Sequence, residues 1–345
     1  MAIKLKFWLD NARKIALPQS VIPCITAIIL AIGEDGFCWP LLFPVILGVC
    51  AAHLGMNLAD DYFDYRKGIP NNEIRSTLKE QGSIRARMEK CHYIQSGEAT
   101  EKDLLKATVG FLGFAGLMGL AVVAVQYFRG GIGAALPVAA YAVLGLIIGV
   151  EYSGKPLQLG YHGLGELVIG LMFGPLNMLG VYAAMTGQMF RPDIFLFSLG
   201  IGCMVTNIVY VHSVMESSAD RQLGKYTFAH LLGSNGAQIA AIGILAILPF
   251  VFLLADIVFF GWTPWYLLSA VTVPMSVFLI ISTSRFVRGI PQDDKPRWWM
   301  GPMGDWDSYV KYGMDWFLIR WLLARNIVTF FCIIVILVKV ISLFV

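Results

Sequence analysis

Apolar residues in this chain run in blocks of about 20, separated by polar stretches of very unequal length. A hydrocarbon core about 30 Å thick takes about 20 apolar residues in helical form. Nine blocks meet that requirement: 15–33, 38–58, 107–127, 131–150, 164–185, 194–214, 237–260, 264–283 and 326–345. The pattern predicts an all-α integral membrane protein with nine transmembrane helices in a single domain over residues 1–345.

Composition agrees. Of 345 residues 57% are apolar and 14% charged, with mean hydropathy +0.68; a soluble domain carries about 25% charged residues to coat its surface. A soluble enzyme, a secreted disulfide scaffold and a disordered chain are therefore excluded. The six cysteines show no C-x-x-C pair, and all but Cys91 lie in or beside apolar blocks, as small packing residues do. The basic, amphipathic start MAIKLKFWLDNARK leads into a block holding Pro18 and Pro23 with no small-residue cleavage site, so no signal peptide is expected.

The distribution of charge sets the orientation. The N-terminus and the loops on its side carry 23 of the 26 Lys and Arg residues; only Arg129, Arg191 and Lys339 fall on the other side. The positive-inside rule puts the first side in the cytoplasm, and those basic residues need no nucleic acid to explain them. Two cytoplasmic segments are long, 59–106 and 284–325. The first is polar and helix-compatible, with Gly82 and Gly97 as breakers. The second sets Trp298, Trp299, Trp306, Trp316 and Trp321 among charges, the composition of a membrane interface, and its latter half reads as an interfacial helix.

Three stretches can carry chemistry. Asn57-Leu-Ala-Asp60-Asp61-Tyr-Phe-Asp64-Tyr-Arg66-Lys67-Gly68 closes the second block. On a continued helix Asp60, Asp61 and Asp64 share a face, and three anions at a low-dielectric boundary need protons or a cation. Oxygen-only ligands suit Mg²⁺, which typically takes one or two carboxylates plus substrate phosphates. The competing reading is a solvated helix end. Glu216-Ser-Ser-Ala-Asp220-Arg221-Gln-Leu-Gly224-Lys225, after the sixth block, is the counterpart: Glu216 and Asp220 are one turn apart, and Lys225 follows a glycine where backbone can approach a phosphate. Alone it reads as a wet surface; opposite the first cluster it completes a two-metal, diphosphate-bridged site. Between them, Glu151-Tyr152-Ser-Gly-Lys155-Pro156-Leu-Gln-Leu-Gly-Tyr-His162-Gly is a fixed turn. It offers Lys155 as a diphosphate ligand and the Tyr152 ring to a carbocation, or else a tight turn with a snorkelling lysine. The five histidines show no metal-ligand spacing; a hydrogen-bonded core role suits His53 and His212, with His212 also a candidate pocket residue. There is no P-loop, G-x-G-x-x-G or nucleophile elbow.

DDYFD matches the D-D-x-x-D pattern of enzymes that bind prenyl diphosphates. Together with NLADDYFDYRKG, YSGKPLQLGYHGLGE and DRQLGKYTFAHLLG, the layout over residues 10 to 285 resembles the UbiA superfamily of intramembrane prenyltransferases, and within it the 1,4-dihydroxy-2-naphthoate (menaquinone) branch. The resemblance implies nine helices around a central cavity open to the cytoplasm of a bacterial or archaeal membrane. It implies Asp61, Asp64, Glu216 and Asp220 as metal-binding catalytic acids, Lys155 and Lys225 as basic residues near the diphosphate with Lys155 also catalytic, and Asn57 and Tyr152 as substrate-side residues; the stretches themselves add Asp60 to the metal-binding candidates and Arg66 and His212 to the substrate-side ones. It implies Mg²⁺ as cofactor, and a polyprenyl diphosphate, an aromatic acceptor such as 1,4-dihydroxy-2-naphthoate and membrane lipid as partners. Asp60 stands where the superfamily usually has asparagine, Glu216 where aspartate is usual, and His212-Ser-Val-Met215 where the branch commonly has Asn-Asn-Ile-Arg. Another acceptor (a phenol, a tetrapyrrole or a glycerol phosphate lipid), a cation-coupled transporter and a non-catalytic scaffold are the other readings. A transporter places its acids near the bilayer midplane in broken helices, whereas these stand at the ends of the blocks.

Overall fold

The structure, a computed structural model, describes residues 5–68, 90–222 and 224–344. Of the long segment 59–106, residues 69–89, with Gly82, lie outside the described residues. The fold is all helical. Eight apolar helical stretches among the described residues are long enough to cross a bilayer: α1 (Lys14–Ala31), α2 (Trp39–Arg66), α3 (Glu101–Ser153), α4 (Gly165–Thr186), α5 (Pro192–Met215), α6 (Asn235–Phe260), α7 (Pro264–Val287) and α8 (Asp315–Ser342).

The difference between eight stretches and nine sequence blocks lies in α3. Its 53 residues would extend about 80 Å if straight, yet both of its ends meet the same end of α2. Glu101 pairs with Arg66 at 3.4 Å, and Ser153 donates to Asp60 at 2.6 Å. The chain therefore doubles back, and it does so at Gly131, whose φ of 66° and ψ of −159° are open to glycine and strained for other residues. That point falls between the blocks 107–127 and 131–150. A second difference concerns the last helix, which starts at Asp315 rather than near 326, because Asp315, Arg320 and Arg325 interrupt the apolar pattern that the helix follows. The interfacial helix expected in the latter half of 284–325 is reduced to Trp306–Lys311.

Burial shows which helix is the axis. In α5, 72% of the most apolar window is buried, against 11% in α3, whose exposed Leu, Val and Phe side chains form the lipid-facing wall. Around α5 lie α6, through Pro249 on Gly200, and α8, through Phe331 stacked on Phe197 at 6.0 Å. The approach of α4 is closest of all. Gly170 and Gly174, spaced as in the small-x-x-x-small pattern that lets membrane helices touch backbone to backbone, face Gly202. A Cβ at Gly174 would stand 2.5 Å from the Ser198 carbonyl oxygen and 2.6 Å from the Gly202 Cα. Backbone cannot yield as a side-chain end can. Gly174→Ala is accordingly expected to destabilise the protein by about 2–3 kcal/mol, the cost of overpacking, read as a lowered melting temperature in detergent; Gly110→Ala, where nothing lies within 4 Å of the added carbon, serves as the control.

Candidate active site

Continuing helical to Arg66, α2 carries its three aspartates on one face at the end of the bundle. Asp61 and Asp64 are buried, at 2% and 0% exposure. Buried carboxylates of one sign do not persist without compensation, and four separate chain segments supply it. The Lys90 ammonium touches all three, at 2.7 Å from Asp64 and 3.8 Å from Asp61, with a close contact to Asp60. Arg13, from the turn before α1, pairs closely with Asp61 and lies 3.6 Å from Asp60. Lys225, from the second acidic stretch, stands 3.4 Å from Asp64. The Tyr161 hydroxyl donates to Asp64, the Ser153 hydroxyl to Asp60, and the Tyr93 hydroxyl to Asp61 at 3.4 Å.

Electrostatics follows this arrangement. Burial opposes the charge on Lys90, but Asp60 and Asp64 outweigh it and raise its pKa, so it stays protonated. For Arg13, burial is likewise outweighed by Asp61, Asp60 and Asp64. Burial, then Asp64, pushes the Tyr161 hydroxyl up, and it remains a neutral donor. Backbone strain marks the same two cations. Arg13 (φ 60°) and Cys91 beside Lys90 (φ 56°) adopt the left-handed conformation, which costs a residue with a Cβ roughly 1–2 kcal/mol. The ion pairs over-determine both turns.

Not every residue singled out in the sequence arrives there. Asn57 donates to the Ala12 carbonyl at 2.9 Å and so pins the segment that carries Arg13. Arg66 is exposed, bonded to Tyr62 and Glu101. Lys155 is exposed and makes no ion pair among the described residues; its electrostatic influence falls on Lys67. The Tyr152 ring packs under Gly160 and Gly165. Glu216 (2% exposed) and Asp220 (fully buried) follow α5, the Asp220 amide donating to the Glu216 carbonyl at 2.9 Å and the Lys225 amide to the Asp220 carbonyl at 2.8 Å. Lys225 therefore ties the second stretch to Asp64. His212 meets Phe317 edge-on at 5.0 Å, and His53 is hydrogen-bonded to Ser20 at 2.7 Å, the core role expected of it.

Sequence reasoning passed over Arg13, Lys90 and Tyr161. The two cations were absorbed into the topological count of basic residues. Tyr161 had a signal, since it lies in the Gly-rich turn with Tyr152; Lys67 sits 3.4 Å above its ring.

The donor set suits a hard divalent cation. It is all oxygen and carries three carboxylates within 4 Å of one ammonium, so a positive charge already stands at their focus. Among the described residues no three acidic, histidine or cysteine side chains close into a ready-made cage.

Fold and site together define an α-helical membrane protein with a charge-focused polar centre at one mouth of its bundle. Comparison with known proteins gives the class a name: the chain belongs to the UbiA prenyltransferase family, whose profile matches residues 20–301. It is 24% identical over 277 residues, 78% of this chain and 83% of the other, to a 1,4-dihydroxy-2-naphthoate octaprenyltransferase of Mycobacterium tuberculosis. It is 25% identical to a 2-carboxy-1,4-naphthoquinone phytyltransferase of Synechocystis, covering 80% and 81% of the two chains. Among solved structures, a UbiA homolog from Archaeoglobus fulgidus bound to DMAPP and Mg²⁺ shares the fold with a TM-score of 0.54 at 12% identity, over 95% of this chain and 98% of that one. The protein is a membrane-embedded prenyltransferase.

Proposed function

We propose that this enzyme transfers a polyprenyl group from an allylic polyprenyl diphosphate to 1,4-dihydroxy-2-naphthoate, with Mg²⁺, at a site facing the cytoplasm. The observation that carries the reading is the convergence of Asp60, Asp61 and Asp64 on one cation, with Lys225 reaching Asp64 from the segment that follows Glu216 and Asp220. The acceptor rests on the naphthoate-related names of relatives that align with most of the chain. The divalent ion is supported by the donor set and by the Mg²⁺ and Cd²⁺ bound in the Archaeoglobus fulgidus homolog.

Asp60, Asp61, Asp64, Glu216 and Asp220 would hold the metal, which when bound supplies positive charge to the departing diphosphate. The chain's own residues do the rest. Lys225 holds the leaving group by its charge, and Arg13 and Lys90 keep the carboxylates from repelling one another before substrate arrives. Tyr161 fixes the Asp64 carboxylate by its hydrogen bond. As the allylic C–O bond breaks, the electron pair leaves with diphosphate, an electron-rich ring carbon of the acceptor attacks the resulting cation, and that carbon then sheds the group it carried, a proton or the carboxylate as CO₂, to restore the aromatic ring. The apolar body of the bundle excludes water from that cation.

Purified protein incubated with a labelled polyprenyl diphosphate and a panel of aromatic acceptors tests this. Prenylated naphthoate is expected, and chelation of divalent ions by EDTA is expected to bring transfer to background and Mg²⁺ to restore it. Prenylation of a different phenol alone would overturn the acceptor; diphosphate release untouched by EDTA would overturn the metal.

A further inference from the structure

Lys225 and the second pair of acids lie on one stretch of chain. It leaves α5 at Glu216, continues through the short helix Ser217–Gln222 that carries Asp220, and ends in a second short helix, Phe228–Leu232. Residues outside long helices keep one arrangement only where contacts offset the entropy of ordering them. The far end of the stretch is anchored at the start of α4. The Gly163 amide donates to the Tyr226 carbonyl at 2.9 Å, and the Phe228 amide donates to the buried Glu166 carboxylate at 3.1 Å. The near end is anchored by α5 itself. His230 joins the two ends.

Hydrogen bonding fixes which nitrogen of the His230 imidazole carries the proton. The Thr227 amide stands 3.1 Å from Nδ1. An amide N–H can only donate, so Nδ1 accepts and bears the lone pair. Nε2 then carries the hydrogen and donates to the Ser217 carbonyl at 2.8 Å, with the Ser217 hydroxyl oxygen 3.1 Å away. The Tyr226 ring stacks on the imidazole at 5.6 Å, which holds its plane. One side chain thus caps the second short helix and ties it to the residue that follows Glu216. Asp220 and Lys225 lie between the two points of attachment. Within that closed segment the Lys225 amide reaches the Asp220 carbonyl at 2.8 Å, and its ammonium stands 3.4 Å from Asp64.

We propose that His230 is a positioning residue for prenyl transfer. It clasps residues 217–230 into the arrangement in which Glu216, Asp220 and Lys225 serve the prenyl diphosphate, a role that rests on the function proposed above. The bond to Ser217 is the clasp. The bond from the Thr227 amide shapes only the helix cap.

Two substitutions separate the bonds. In His230→Asn the amide oxygen takes the place of Nδ1 and accepts from Thr227, but nothing reaches Ser217. In His230→Gln the amide nitrogen takes the place of Nε2 and donates to Ser217. His230→Asn is expected to raise KM for the prenyl diphosphate about tenfold, the worth of one hydrogen bond, with KM for the aromatic acceptor and the melting temperature unchanged. His230→Gln, which keeps the clasp, is expected to stay within about twofold of the unaltered enzyme. Hydrogen–deuterium exchange at residues 217–230, measured without substrate, is expected to quicken in His230→Asn and not in His230→Gln. Equal damage by the two substitutions, or a His230→Asn protein that behaves as the unaltered enzyme does, would overturn the role. A lowered melting temperature with both KM values raised would overturn it in favour of a purely structural histidine. If the unaltered enzyme transfers no prenyl group, the function proposed above fails, and exchange at residues 217–230 still decides the clasp.

Discussion

Asp64→Asn is expected to lower prenyl transfer about a thousandfold, roughly 4 kcal/mol of transition-state stabilisation. Asp64 is fully buried and takes contacts from three directions: Lys90 at 2.7 Å, Lys225 at 3.4 Å and the Tyr161 hydroxyl. Asparagine keeps the shape but removes the charge that a metal-bound diphosphate requires, and it leaves the Lys90 and Lys225 ammonium groups with one fewer carboxylate between them. A loss of activity caused by misfolding would bring aggregation and a lowered melting temperature. A loss caused by the missing charge leaves a monodisperse protein that no longer binds prenyl diphosphate in Mg²⁺. Steady-state transfer and substrate binding measured on the same preparation separate the two.

Lys225→Gln is expected to reduce kcat about a hundredfold and to raise KM for the prenyl diphosphate, as loss of a charge that holds both bound substrate and departing anion does. Lys225 ties the second acidic stretch to the first, its ammonium on Asp64 and its amide on the Asp220 carbonyl. Glutamine preserves the amide bond, so the chain geometry at residues 220–225 is retained and only the ammonium is lost. KM for the aromatic acceptor is expected to change little. Equal damage to both substrates would instead indicate a collapsed site.

Much of this molecule can be read from its residues in order. Blocks of apolar residues gave the spans because a bilayer demands unbroken helices, and the gap between 127 and 131 marks the turn at Gly131. The acidic stretch at 60–64 is legible for the same reason: charge at the end of an apolar block needs a cause. The start of α8 was hidden by its own charges, since Arg320 is buried by ion pairing and ring contact rather than by being apolar. The partners of the aspartates were hidden by distance along the chain. Arg13 meets Asp61 across 48 residues, and Tyr161 meets Asp64 across 97; no local pattern states which of many basic or tyrosine side chains will close such a contact. Lys155 shows the converse. As the one basic residue of its turn it suggested a ligand, but a lone lysine in a loop carries no direction, and here it lies exposed.

Central to the proposed function is that the acidic stretches at 60–64 and 216–220 act as one site. A double-mutant cycle on Asp64→Asn and Asp220→Asn, read as the Mg²⁺-dependent affinity for an unreactive prenyl diphosphate analogue, tests this directly. Groups that share one ligand are strongly coupled, so each single change is expected to weaken binding about a hundredfold and the double change scarcely more than either. Losses that simply multiply, or an Asp220→Asn protein that binds as the unaltered enzyme does, would contradict it.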